Sequence, residues 1–254
     1  MNELSSEIVE AFARGLRVIE CFGADARRLT LTDVANRTGY SRATARRLLL
    51  TLQSLGYAET DGKHFALTPR VLDLGFSYIN SLGFADHARP HLEMVTDRLN
   101  ESCSLAVLDG EQIVYVARSA APHRIMSVAL TVGTRLPANA TSMGQVLLAH
   151  LPDLRLRDYI ANARLEARTR FSIVDRADLR LRLAAVREKG YALVDQELEE
   201  GLKSLAVPIF RNDGTVCAAL NVSTQSARFS DGRMIRELLP TLQDAARRIG
   251  ETQT

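Results

Sequence analysis

The stretch from residue 32 to residue 56, TDVANRTGYSRATARRLLLTLQSLG, constrains the fold of this chain more than any other. Thr32 is predicted to cap a short first helix, which ends at Gly39 because glycine readily adopts the left-handed conformation. Ser41 is predicted to cap a second helix that ends at Gly56. Two helices that meet at such a tight turn form a helix-turn-helix. The apolar face of the second helix has helical spacing and comprises Ala45, Leu48, Leu49, Leu52 and Leu55.

The opposite face of the second helix has the chemistry of a DNA-binding surface. Guanidinium groups such as those of Arg46 and Arg47 match phosphate oxygens and the guanine edge, and the methyl group of Ala43 can contact a thymine methyl. Residues 27–47 contain six arginines and one acidic residue, a local charge of +5 in a chain whose net charge is only +2. This focused charge predicts binding to double-stranded operator DNA. The predicted DNA-binding residues are Thr32, Ser41, Arg42, Ala43, Thr44, Arg46, Arg47 and Lys63.

The segment after Gly56, YAETDGKHFALT, predicts a β-hairpin that would form the wing of a winged helix. Its Asp61-Gly62 pair is typical of a type I′ turn, and Lys63 would lie near the tip. Residues 27–31 can supply a third strand. The alternative is an αα-hairpin that packs only against protein, with arginines that are merely solvated. The order of turn, focused charge and wing favours DNA binding.

The sequence predicts a DNA-binding domain over residues 1–68, a linker helix over residues 69–82 and a second domain over residues 83–254. Thr68 followed by Pro69 is typical of a helix start. The linker helix is apolar over a wide arc, which favours contact with a partner subunit and therefore at least a homodimer. The alternative is an ordinary core helix. Basic and acidic residues balance beyond residue 70, so the second domain is not expected to bind nucleic acid.

The second domain is predicted to be α+β, with an antiparallel sheet, helices over its faces and room for a pocket. The final helix, from Ser230, contains Pro240, which is expected to kink it. Strands are predicted at residues 104–108, 112–117, 124–130, 191–195, 204–210 and 215–223.

Composition and spacing argue against several other classes of protein. The chain has no apolar run of 18 residues and no signal-like amino-terminal segment, so no membrane association is expected and the protein is predicted to be cytoplasmic. The three cysteines form no CxxC pair. His87 and His91 are four residues apart but have no evident third ligand. Neither a metal site nor a cofactor is therefore predicted.

Several motifs together resemble the IclR family of bacterial transcription regulators, and the resemblance covers nearly the whole chain. FARGLRVIECF, RTGYSRATARRLLLTLQSLGY, PANATSMGQVLLA, REKGYALVDQE, GLKSLAVPIF and AALNVS follow the family order. The stretch ARSAAPHRIMSVALTVGTRLPANATSMG is most similar to the branch that controls β-ketoadipate and aromatic-acid pathways in response to protocatechuate or 4-hydroxybenzoate. The resemblance implies an N-terminal winged helix-turn-helix, a linker helix, a C-terminal effector domain similar to GAF/PAS sensors, and dimers that pair into a homotetramer.

The chain departs from the family at the start of the predicted pocket helix. The family often has a histidine and small residues there, whereas this chain has Asn139, Ser142 and Met143. The departure favours a ligand particular to the aromatic-acid branch.

A small carboxylate effector needs hydrogen-bond donors and an apolar wall. The first N–H groups of a helix at Ser142 and Met143 attract an anion, and strand hydroxyls can bind a carboxylate or a ring hydroxyl. Asp195 could accept a phenolic proton, and Met143, Leu130 and Val222 are expected against the ring. The alternatives are that Ser142 is only a helix cap, that Asp195 is a turn residue and that Arg135 is a structural residue. The predicted effector-binding residues are Arg118, Arg124, Arg135, Ser142, Met143, Gly144, Asp195, Ser204, Asn221 and Ser223.

Three other functions are alternatives to an aromatic-acid regulator. A regulator of the same type could respond instead to a small aliphatic acid. The stretch from Ala140 to Gly144 resembles the GxSxG nucleophile elbow of serine hydrolases, but it lacks the first glycine, follows Pro137 and has no histidine after His150. No catalytic residue is therefore predicted. A protein-binding adaptor would leave the focused arginines unexplained.

Overall fold

The computed structural model of the protein describes residues 7–23, 25–83, 85–122 and 130–251. The chain divides into two compact units, Met1–Ser81 and Leu82–Thr254. In the described regions no helix has both the length and the apolar character needed to span a bilayer. The N-terminal unit consists of α1 (Glu10–Glu20), β1 (Leu29–Thr30), α2 (Leu31–Thr38), α3 (Arg42–Ser54), β2 (Ala58–Thr60), β3 (His64–Leu67), a 3₁₀ turn (Pro69–Val71) and α4 (Leu72–Ser81).

Local capping signals define the helix-turn-helix formed by α2 and α3. Thr30, not Thr32, caps α2: its hydroxyl accepts from the Asp33 N–H at 3.2 Å, and the Asp33 carboxylate accepts from the Thr30 N–H at 2.9 Å. The prediction for Thr32 as a cap is therefore wrong, because Asp33 completes a capping box only with Thr30. Gly39, with φ of 71°, ends α2, and the Ser41 hydroxyl accepts from the Thr44 N–H; both are confirmed.

The predicted apolar face of α3 forms much of the core of this unit. Ala45, Leu49 and Leu52 are buried, whereas Leu55 remains half exposed. In α1 the apolar face is largely uncovered, and the Phe12 side chain is 69% exposed. In helix α1 only Val18 is fully buried among the described residues.

The three strands form the predicted wing, but its turn differs from the prediction. The antiparallel order is β1-β3-β2. A type I′ turn at Asp61-Gly62 needs positive φ at both residues, and only Gly62 has it, at 95°. The Asp61 N–H donates to the His64 carbonyl, so Gly62 and Lys63 are the central residues. The Asp61 carboxylate accepts from the His64 and Lys63 N–H groups, which lowers its pKa well below its usual range.

The C-terminal unit confirms the α+β prediction. Its antiparallel sheet has the strand order β6-β5-β4-β9-β8-β7. The elements are α5 (Ala85–Leu99), β4 (Ser102–Asp109), β5 (Gln112–Ser119), β6 (Arg135–Pro137), a 3₁₀ turn (Ala138–Ala140), α6 (Ser142–Ala149), α7 (Asp153–Asn162), α8 (Arg176–Lys189), β7 (Ala192–Asp195), β8 (Leu202–Phe210), β9 (Val216–Gln225), α9 (Asp231–Arg233), a π-helical turn (Met234–Leu238) and α10 (Leu239–Gly250).

Successive side chains of each strand pack on opposite faces of this sheet. One face is covered by α5 and α10, with a core that includes Leu92 and Leu242. The other is covered by α6, α7 and α8, with a core that includes Met143 and Leu183. The second face holds the small residues of the central strands, namely Ala106, Ala206 and Ala219.

The strand predicted at residues 124–130 lies, except for Leu130, outside the described residues, and β6 pairs with β5. The final helix differs from the sequence-based expectation. Pro240 does not kink a continuous α-helix. It lies in the first turn of α10, where its missing N–H is tolerated, directly after the π-helical turn Met234–Leu238.

Gly144 allows α6 to approach the preceding 3₁₀ turn. A Cβ atom at this position would overlap the backbone of Ala138. We expect Gly144→Ala to lower the free energy of unfolding by about 1–3 kcal/mol, the usual cost of overpacking. Thermal melting monitored by circular dichroism measures this change.

Gly232→Ala is the matched control, because its new Cβ atom would meet only the flexible end of Arg236 at 3.2 Å. The control should melt like the parent. A Gly144→Ala variant as stable as the control would show that the approach of α6 to the 3₁₀ turn does not require glycine.

Candidate DNA-binding and effector sites

The outward face of α3 carries the arginines that the sequence assigned to DNA. Arg42, Arg46 and Arg47 are exposed, and none of them forms an ion pair with an acidic residue in the described chain. Their guanidinium groups therefore remain available to phosphate oxygens or base edges. Ala43 is exposed beside them, while the Thr44 hydroxyl is 3.0 Å from the Ser41 hydroxyl at the helix start.

The other predicted DNA-binding residues lie around α3. Thr32 is exposed near the start of α2, and Lys63 is exposed in the wing turn, where its N–H donates to Asp61. Arg47 also borders an apolar groove between α1 and α3 that is lined by Phe12 and Leu16. Arg46 is not part of the lining of that groove.

A small polar cavity lies between the start of α6 and the sheet. Thr141 is the cap of α6, since its hydroxyl accepts from the Gly144 N–H at 3.2 Å. Ser142 is therefore not the cap, and its hydroxyl is buried without a hydrogen-bond partner in the described chain. The cavity volume is about 10 Å³, close to the space of one water molecule. Its polar lining comprises Tyr115, Thr141, Ser142, Ser204, Asn221 and Ser223.

Strand register brings the polar residues of this site together. Ser204 lies opposite Ser223 on the neighbouring strand, and Asn221 lies opposite Ser104. Ser104 is in turn opposite Arg118 on β5, whose Nη1 donates to the Ser104 hydroxyl at 2.9 Å. These residues form a polar row across β8, β9, β4 and β5, in which Ser204, Asn221 and Ser223 line the cavity and Ser104 and Arg118 lie beyond its lining.

Arg118 is a half-buried cation at one end of this row. Desolvation lowers its pKa, partly offset by the nearby Tyr115 and Cys103. Within the described residues no carboxylate lies within ion-pair distance of its guanidinium. A cation that is partly removed from water and not neutralised by the protein is suited to a carboxylate ligand.

The structure separates Asp195 from the site. Lys203 Nζ lies 2.9 Å from the Asp195 carboxylate, and the Ser226 hydroxyl donates to it at 2.6 Å. Partial burial opposes ionisation of Asp195, but the bonds from Ser226 and Lys203 outweigh it and lower its pKa. Lys203 adjoins Ser204 along β8, so its side chain points to the opposite face of the sheet. Asp195 as an acceptor in the pocket is therefore contradicted.

Other predicted effector residues also have different roles. Arg135, on the edge strand β6, pairs with Asp109 and donates to the Gln112 side chain at 2.8 Å, which supports its structural alternative. Gly144 provides close packing, and Met143 belongs to the core beneath α6. Val222 packs on the opposite face with α5 and α10, so its expected contact with the ring is wrong. Arg124 lies outside the described residues.

Tyr115 was missed by the sequence-based prediction. It lines the cavity, and burial raises the pKa of its hydroxyl to about 12, so the phenol stays protonated at neutral pH. The alternation of the strand over residues 112–117 places Tyr115 on the same face as Ile113. The strand alternation could therefore have identified Tyr115 as a residue of this face.

Two family models match this chain. The IclR helix-turn-helix domain matches residues 11–62, and the bacterial transcriptional regulator IclR C-terminal model matches residues 76–251. The chain belongs to the IclR family. The resemblance predicted from its motifs is therefore confirmed.

Individual relatives agree with this assignment. The Pca regulon regulatory protein of Pseudomonas putida is 45% identical over 95% of this chain and 83% of its own length. A crystal structure from Rhodococcus sp. RHA1 is 48% identical, covers 96% of this chain and 98% of its own, and superposes with a TM-score of 0.85. An IclR homologue from Microbacterium hydrocarbonoxydans, crystallised with 4-hydroxybenzoate, is 27% identical, covers 96% and 98%, and has a TM-score of 0.81.

A buried ionic network holds the pocket helix of this IclR protein in place. The Gln145 amide, on α6, donates to the Glu197 carboxylate at 2.9 Å and to the Asn139 carbonyl at 3.0 Å. Arg182, on α8, donates to the same carboxylate at 3.1 Å. Burial raises the pKa of Glu197 despite the nearby Arg182 charge. The network ties α6 and α8 to the segment after β7, and the sequence analysis did not identify it.

The nucleophile-elbow alternative finds no support in the geometry. Ser142 follows a 3₁₀ turn and not a strand, and it is only 1% exposed. His150 lies at the opposite end of the same helix and its ring contacts the Val146 carbonyl at 2.8 Å. A strained, accessible serine with a neighbouring histidine base is therefore not formed.

Arg46→Ala and Arg47→Ala are each expected to weaken DNA binding without lowering the melting temperature. Loss of a phosphate contact should reduce the salt slope by about one unit, and loss of a base contact should cost about 1–3 kcal/mol at one operator position. Fluorescence anisotropy over a salt series, on an operator selected from random-sequence DNA, measures both effects.

Arg89→Ala serves as the control, because Arg89 is an exposed arginine on α5 in the other unit. It should bind DNA like the parent. If both α3 variants also bind like the parent, α3 is not the recognition helix.

Proposed function

We propose that this protein is a transcription regulator of a catabolic operon that binds operator DNA through α3 and its wing and responds to an aromatic carboxylate of the hydroxybenzoate class. The observation that carries the effector proposal is the cavity under α6, whose Ser142 and Asn221 side chains each retain a buried polar atom without a partner in the described chain. Buried polar groups are normally hydrogen-bonded, so such atoms need a water molecule or a ligand as a partner. A DNA-binding role implies a cytoplasmic protein, and we propose no catalytic residue.

The similar proteins support the aromatic class. The Pseudomonas putida relative is named as a regulator of the Pca regulon, and the Microbacterium hydrocarbonoxydans homologue was crystallised with 4-hydroxybenzoate. In this chain Arg118 and the first N–H groups of α6 are suited to the carboxylate. Ser204, Ser223 and Asn221 are suited to polar groups on the ring. A small aliphatic acid is the second candidate, because a carboxylate alone would satisfy the cationic end of the site.

The present cavity is too small for any aromatic acid. Its 10 Å³ must grow many-fold before a benzoate ring can enter. Binding therefore requires the residues around the cavity to rearrange, and a ligand that binds only the opened form shifts the population towards it. This dependence of conformation on ligand is what a regulator requires.

Exposed apolar side chains on α1 and α4 support a dimer. Phe12 on α1 and Leu72, Phe76 and Tyr78 on α4 are all at least half exposed, and α4 buries no residue within its own chain. Several large exposed apolar side chains of this kind are typical of an interface. The homodimer, with pairing into a homotetramer, is part of the proposed function.

We expect the full-length protein to sediment as a dimer or larger at micromolar concentration and to bind a palindrome-like site whose half-sites are about one helical turn, or a multiple, apart. Phe76→Glu should shift the protein towards monomer. Leu181→Glu, at an exposed apolar residue of α8, is the matched control and should leave the assembly unchanged. A parent monomer bound to one half-site would contradict the proposal.

The effector class is tested by calorimetric titration with protocatechuate, 4-hydroxybenzoate, glyoxylate and pyruvate. The aromatic acids should bind. Ser204→Ala should weaken them by roughly 0.5–1.5 kcal/mol for a neutral hydrogen bond and by up to about 3 kcal/mol for a bond to a charge. Met143→Pro should bind poorly if the helix start holds the carboxylate, because proline lacks the N–H donor.

Asp195→Asn is the control in the same sheet, because Asp195 lies on the opposite face with Lys203. Its affinity for the aromatic acids should equal that of the parent. Binding of only glyoxylate or pyruvate would reject the aromatic class and favour the aliphatic alternative.

A further inference from the structure

Asn221 presents a single unsatisfied acceptor to the cavity. Its side chain is 4% exposed, and its Nδ2 donates to the Ser223 hydroxyl at 3.1 Å. Its Oδ1 is buried without a hydrogen-bond partner in the described chain. An amide oxygen is only an acceptor, so the group that satisfies it must bring an N–H or an O–H.

A carboxylate cannot satisfy this oxygen. An ionised carboxylate also has only acceptors, and two acceptors in contact in a buried site repel each other. Arg118 provides the opposite polarity, because a guanidinium has only donors. The two residues lie on the strands that flank β4, and both are opposite Ser104 in register. The Asn221 oxygen therefore needs a donor from the ligand, whereas Arg118 donates to an acceptor.

We propose that Asn221 determines specificity by accepting the hydrogen bond of a ring hydroxyl on the effector, with the effector's carboxylate directed towards Arg118. This inference rests on the proposed function and adds the orientation of the ligand and the group that distinguishes hydroxylated from unsubstituted aromatic acids. Ser142 lies across the cavity and completes the polar lining.

The test compares ligands that differ only in whether they donate. Calorimetric titration of the parent with 4-hydroxybenzoate and 4-fluorobenzoate, and with 3-hydroxybenzoate and 3-fluorobenzoate, should show a preference of about tenfold or more for the hydroxyl in at least one pair, because fluorine cannot donate to Oδ1. Asn221→Leu, of similar volume, should reduce that preference to about twofold or less. Its affinity for the fluoro compound should change little.

Two further variants keep the test independent of folding. Asp195→Asn changes a polar residue on the opposite face of the sheet, so the preference for the hydroxyl should persist. Asn221→Ala replaces Asn221→Leu if the latter melts at a lower temperature than the parent without ligand, and it should show the same loss of preference.

The outcomes separate this inference from the proposal on which it rests. If the parent prefers the fluoro compounds, or if both Asn221 variants keep the preference for the hydroxyl, Asn221 is not the specificity residue and the aromatic-acid function still stands. If the parent binds none of the four benzoates while glyoxylate or pyruvate binds, the proposed aromatic class and this inference both fail.

Discussion

The approach of α6 to one face of the antiparallel sheet is the constraint on which the candidate effector site depends. That face carries alanines in the central strands, so the helix can pack close to the backbone. Gly144 allows α6 to meet the 3₁₀ turn before it, and the Gln145–Glu197 bond holds the helix to the segment after β7. Ser142, Ser204, Asn221 and Ser223 are thereby buried around the cavity. Hydrogen bonds are stronger in such a low-dielectric environment than in water.

Local signals in the sequence were sufficient for most of the N-terminal unit. Gly39 and Ser41 act through their own conformation and side chain, and the core positions of α3 follow from the helical period. The cap of α2 was misassigned because two threonines lie two residues apart, and only Thr30 has an acidic residue at the third helical position. The turn was predicted with Asp61 and Gly62 as its central residues, whereas Gly62 and Lys63 are central. Both turns contain Gly62, so the Asp-Gly pair alone does not distinguish between them.

The effector site was only partly predictable. Ser142, Ser204, Asn221 and Ser223 could be proposed from a helix start and a strand period, and the fold brings all four to one cavity. Asp195 could not be placed, because the face on which a strand residue lies depends on its register with neighbouring strands. Val222 failed for the same reason. The bond between Gln145 and Glu197 joins residues 52 positions apart, and no local pattern encodes such a contact.

The closed cavity has a consequence for the speed of the response. Under the proposed function the ring cannot enter a space of about 10 Å³, so association would wait for the cavity to open, and the observed rate constant would level off at high effector concentration at the rate of that opening. The opening breaks packing and buried polar contacts, so this limiting rate rises steeply with temperature. The time that the regulator takes to sense its effector is then a property of the protein's own motion and not of diffusion.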